Sequence, residues 1–369
     1  MFCSRNRDLK MSNESTQELV IGIPRGMSFY SNYPFWYGFF SCLGFKIILS
    51  DPTTKQTMSD GSALVVTETC LPIKIYLGHI LNLIKKGVKN IFVPSLQSIA
   101  PKIYNCSKIR GLPDLVRNVV KGDFNIIEAT LDKSAKGKGL YSFLAEAVKP
   151  FGITNFDLIK KASKEGWKVY NNFLVMMRSG VSYKNALTNA LQGKILIEDN
   201  SETKVISVAL IAHGYNIYDE RASMKIFDKL EKMGVKVYTA LNLTEEQLSE
   251  GIAAVGHHQY WANSAEMTGA AGHYLKDNKI DGIITLNAFG CGPDSLMVET
   301  IMRKSKEAGK PMLSLTIDEH TGEAGFITRL EAFIDMLFRK KRLNITKSVE
   351  IDEYSYKPQT NTCDALINK

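Results

Sequence analysis

Two stretches of this chain repeat one rhythm, a short apolar run, a turn and an amphipathic helical pattern, and that repetition admits few folds. Apolar runs of roughly four to eight residues that alternate with helices mark parallel strands buried on both faces. The first stretch covers roughly 18–130, with candidate strands LVIGIP (19–24), FKIILS (45–50), ALVVT (63–67), NIFVPS (90–95) and NIIEAT (125–130), and a helix over 73–86 closed by Gly87. The second covers roughly 204–338, with strands VISVALIAH (205–213), VKVYTA (235–240), GIITLNAF (282–289) and MLSLTID (312–318), and helices over 222–233 and 328–338. Residues 139–196 keep helical spacing and contain no strand pattern. The expected fold is therefore α/β, two parallel-sheet Rossmann-like lobes with a helical segment between them. The expected boundaries are a flexible tail over 1–17, a lobe over 18–138, a helical bridge over 139–203, a second lobe over 204–340 and a polar tail over 341–369.

A chain of 369 residues, 44% of them hydrophobic, can bury cores of this size and is too long for one average domain. Its formal charge of +8 permits acidic or anionic partners. The basic run Arg339, Lys340, Lys341 and Arg342 follows a helical pattern, where cations suit a solvated helix C-terminus. With no helix-turn-helix, zinc-finger or aromatic RNA motif beside it, nucleic acid is not an expected partner. The N-terminus lacks the apolar core of a secretory signal, and the most apolar stretch, 35–49, is short for a bilayer and broken by Gly44 and Lys46. A cytoplasmic protein without a membrane span is the expectation.

Six cysteines without a signal peptide point to thiols, metal or redox chemistry rather than a disulfide framework. Cys70, Cys106 and Cys291 each follow a candidate strand and precede a proline-marked helix start, at Pro72, Pro113 and Pro293. Ligands of parallel sheets gather at such strand ends, and helix N-termini favour thiolates and the anionic clusters they bind. A thiolate-ligated metal is one reading of the three; buried small apolar residues are the other. No C-x-x-C pair decides between them. Cys42 falls in an apolar run and reads as core, and Cys3 and Cys363 lie in polar tails. Near the same strand ends stand Glu68, His213, Glu319 and His320, candidates for hydrogen bonding around a metal or for acid/base work, with helix capping as the plainer alternative. The neighbours His257 and His258 would diverge on a helix or strand, so a metal site from that pair alone is not expected.

The strings IGIPRGMSFYSNYPFWYGFFSCLGF, TETCLPIKIYLGHI, YNCSKIRGLPDL, AHGYNIYDE, NAFGCGPDS and IDEHTGEAGFITRLEAF together resemble the acyl-CoA dehydratase activase-related, or CoA-protein activase, family. That family is related to 2-hydroxyacyl-CoA dehydratase subunits and double-cubane cluster proteins. The resemblance covers roughly 18–340. It implies an anaerobic electron-transfer protein with a [4Fe-4S] cluster held at Cys70, Cys106 and Cys291. It implies low-potential electrons from a separate ATP-dependent activator that carries its own cluster, and a small-molecule substrate such as a CoA thioester. Three thiolates would leave one iron of a cubane open. The chain has no GxxxxGK[ST] loop, so ATP hydrolysis is expected of the partner. Catalytic residues and oligomeric state are left open. Two other readings stand: a non-enzymatic zinc- or cluster-binding accessory protein, and a CoA- or nucleotide-binding module.

Overall fold

A computed structural model describes residues 18–134, 139–197, 205–256 and 261–354. Cys3, Cys363, His257 and His258, the tail over 1–17 and residues 355–369 lie outside the described residues.

The first sheet is formed by β1 (Val20–Ile23), β2 (Lys46–Leu49), β3 (Asn90–Ala100), β4 (Ile103–Tyr104) and β5 (Asn125–Asp132). Its parallel strands run in the order β2-β1-β3-β5, and the two-residue β4 folds back antiparallel on the end of β3. The second sheet is formed by β6 (Ile206–Ile211), β7 (Val235–Tyr238), β8 (Gly282–Ala288) and β9 (Met312–Ile317), all parallel, in the order β7-β6-β8-β9. The two orders are the same. Every residue of β8 is buried, as a central strand covered on both faces requires. In each sheet the chain direction reverses beside the first strand, and the crevice at the C-terminal ends there is where such sheets take ligands.

A helical hairpin joins the second strand to the third in both lobes. In the first, helix Lys55–Ser62 packs on helix Leu71–Lys85; in the second, helix Glu245–Val255 packs on helix Ala262–Lys276. Glycines let these backbones touch. A Cβ on Gly61 would fall 1.7 Å from the Lys74 carbonyl oxygen, and one on Gly78 would fall 1.9 Å from that of Thr57. The second hairpin repeats this with Gly251 against the Gly269 carbonyl, at 1.8 Å.

That hairpin corrects one expectation. ALVVT is not a strand: Ala63 caps the first hairpin helix and residues 64–69 form turns. β1 pairs directly with β3, so the sheet has no slot for it. Leu64 and Val65 instead lie half-buried against the core, while Val66 is 69% exposed. The C-terminal helix also differs, running from Glu323 to Tyr354 and so through the first part of the expected polar tail. Its buried face, Phe326, Leu330, Phe333, Ile334 and Leu337, packs on the second sheet.

The helix Phe29–Cys42 carries the aromatic run and is buried between the first sheet and the long helix Phe156–Arg178. The helix Leu71–Lys85 serves both cores. Leu71 and Ile75 join the core of the second sheet, whereas Ile73, Tyr76, Leu77 and Ile80 join that of the first. Among the described residues, no helix is long and apolar enough to cross a membrane.

Candidate functional site

Cys70, Cys106 and Cys291 line one cavity between the lobes, together with Met27, Lys108, Tyr215 and Asp294. Each cysteine is the residue immediately before a helix: Leu71–Lys85, Ser107–Arg110 and Gly292–Glu307. Cys291 directly follows β8, the third strand of its sheet, and Cys106 follows the third strand of the other through the short fold-back β4. Cys70 does not follow a strand, contrary to the sequence reading; the turn of the helical hairpin carries it. No disulfide is formed by the described cysteines, which include Cys42, half-buried beside the aromatic core.

Helix N-termini favour thiolates, but burial prevails in this cavity. Desolvation raises the Cys70 thiol above its ordinary range, against the lowering influence of Lys108 and the Ile73 amide. Cys291 is pushed much further up, first by burial and then by the adjacent Asp294 carboxylate. Without a metal these two thiols are therefore held protonated. Loading a metal must expel their protons.

Asp294 was not anticipated from the sequence. It sits in the first turn of the helix that Cys291 caps and is fully buried. Its Oδ1 lies 2.6 Å from His213 Nε2, while its Oδ2 has no hydrogen-bond partner. One donor atom from each of His213, Cys291 and Asp294 falls within 4.8 Å of the others. His213 precedes a short helix after β6, and its ring rests 4.9 Å from that of the half-buried Tyr215, which lines the thiol cavity. The i to i+3 spacing of Cys291 and Asp294 at a helix start was the available signal; its buried pairing with His213 depends on two strands meeting.

The other sequence candidates are dispersed. Glu319 accepts a hydrogen bond from the buried Lys74 ammonium at 2.5 Å, linking the two lobes. The His320 side chain is 81% exposed and 3.9 Å from Glu319. Glu68 is exposed, and it is its backbone carbonyl that approaches the cysteine loop of the second lobe, where a Cβ on Gly290 would lie 3.1 Å away. Lys108 is half-buried at the cavity wall.

Residues 20–243 match the family described as the CoA enzyme activase uncharacterised domain, and residues 181–337 match the D-component of 2-hydroxyglutaryl-CoA dehydratase. A search of curated proteins finds no match. A solved structure described as a phosphosugar isomerase from Silicibacter pomeroyi DSS-3 is similar at 12% identity over 88% of this chain and 87% of that one. Its TM-score is 0.19.

Proposed function

The chain belongs to the family of the CoA enzyme activase domain, and from that premise we propose that it holds a [4Fe-4S] cluster at Cys70, Cys106 and Cys291 and works as a redox component. The match of its C-terminal half to a dehydratase D-component relates it to 2-hydroxyacyl-CoA dehydratase systems. The observation that carries the reading is that three thiols, from three helix starts and both lobes, line one cavity. A half-buried, soft, all-sulfur donor set suits iron–sulfur ligation. Such a cluster supplies one-electron chemistry at low potential. Around it, Tyr215 and Met27 would exclude water, and Lys108 would place a positive charge at the wall. An ATP-dependent activator with its own cluster would supply the electrons, and a small molecule such as a CoA thioester would receive them.

Anaerobic purification and reconstitution test this directly. The expected product is brown, with about four iron and four acid-labile sulfide per chain and a paramagnetic signal on reduction. Replacing any of Cys70, Cys106 or Cys291 by Ala should lower iron content sharply; Cys42→Ala should not. Small thiols or cyanide should alter the spectrum at the iron that lacks a thiolate. Reconstituted protein that remains colourless and free of iron would overturn the reading.

A second reading has its own support. His213, Cys291 and Asp294 form a mixed nitrogen, sulfur and oxygen set of the kind zinc accepts. Stoichiometric zinc without iron in metal-replete protein, lost in Asp294→Ala but kept in Cys106→Ala, would favour a zinc-holding accessory protein.

A further inference from the structure

We propose that the ion pair between Lys74 and Glu319 fixes Cys70 against the second lobe, making Lys74 a positioning residue for the thiol site. The proposal rests on the reading of that site as a place where Cys70 and Cys291 act together. Lys74 lies one turn into the helix that Cys70 caps, and is 1% exposed. Its ammonium donates to the Thr67 carbonyl at 2.8 Å and to Glu319 Oε1 at 2.5 Å. Thr67 opens the turn that ends at Cys70. Glu319 follows β9, the neighbour of β8, whose end carries Cys291. One buried cation thus closes the Cys70 turn on itself and ties it to the lobe that bears Cys291.

Packing alone does not ask for a lysine here. A fully buried ammonium is costly unless paired, and a methionine would fill the same space among the flanking Ile73 and Ile75. What lysine adds is a set of directed donors, and the two acceptors recorded for it lie on either side of the lobe boundary. The same turn has a second contact across that boundary, the Glu68 carbonyl against Gly290. The Cys106 turn has no part in the pair, which makes Cys106 an internal control.

The test uses the full chain without metal. Lys74→Met removes the charge and keeps the stem; Glu319→Gln removes it from the other side with little change of shape; Lys74→Arg restores a cation. In Lys74→Met and Glu319→Gln, amide exchange over residues 66–70 and alkylation of Cys70 by iodoacetamide should each accelerate at least about tenfold. Cys106 alkylation should stay within about twofold of the parent, and Lys74→Arg should recover part of the protection. If Cys70 reacts at the parent rate in Glu319→Gln, or if Cys106 accelerates equally, the positioning role is wrong. Should Lys74→Met fail to fold, Glu319→Gln still decides. Should the parent take up no iron, the cluster reading fails while the alkylation rates still judge this one.

Discussion

At the scale of single residues, the lobe boundary is organised by buried polar atoms that pair across it. Asp219, in the second lobe, accepts hydrogen bonds from the Tyr30 hydroxyl at 2.9 Å, from Thr53 and from the amides of Arg221 and Ala222. The Thr53 hydroxyl spends its proton on Asp219, so it must accept from His79 Nε2, 2.9 Å away. That fixes the neutral histidine with its proton on Nε2 and leaves Nδ1 bare in the core. Burial holds the His79 pKa down at about 3. Between that value and the ordinary one near 6.5, the unfolded chain binds a proton that the folded chain refuses, so stability falls as pH falls. The limiting slope is about 1.4 kcal/mol per pH unit. Urea unfolding from pH 7 to 4 should therefore show a shallower loss in His79→Gln than in the parent. Tyr30→Phe should cost about 1–2 kcal/mol by the same measurement, since Asp219 keeps three donors. Little of this was legible beforehand. Cys70, Cys106 and Cys291 announced themselves by residue type and by the proline after each, whereas Asp294 and Lys74 matter through partners about 80 and 245 residues away. No local pattern encodes such a pairing.

Among the elements, eight of the nine expected strands formed, because alternation of apolar runs with helices is a local signal. The failure at 63–67 is instructive. Leu64, Val65 and Val66 have β-branched or aliphatic character, but Gly61 and Gly78 let the flanking helices close to backbone contact, and that packing claimed the segment. Helical-hairpin glycines read as ordinary breakers in a sequence; only the close approach reveals them. The hairpin predicts its own weakness. Gly61→Ala drives a methyl into the Lys74 carbonyl and should cost about 3 kcal/mol or more, read as a fall in urea midpoint. Gly87→Ala, at a helix end with φ of +77° and open space, should cost only about 1 kcal/mol. Equal losses at the two positions would mean that the hairpin is looser than its geometry.

For the whole molecule, the helix Leu71–Lys85 makes the lobes one cooperative body, since its alternate faces complete two cores. Calorimetry should give a single transition. Ile75→Ala, though its helix belongs to the first lobe by sequence, removes packing from the second core and should lower that transition by about 2–4 kcal/mol without splitting it. The two sheets share one strand order and one hairpin insertion, and this repetition has a consequence for the number three. Cys106 and Cys291 occupy corresponding places in their halves, beyond the third strand, Cys106 after the added fold-back of β4. The counterpart of Cys70, at the start of the second hairpin helix, is Trp261. The correspondence of thiols between the halves therefore fails at the hairpin. Cys70, without a thiol counterpart, stands at the start of the helix whose faces serve both cores. Two of the three cavity thiols thus recur between the halves and the third does not, so the lining of the cavity is unequal on its two sides.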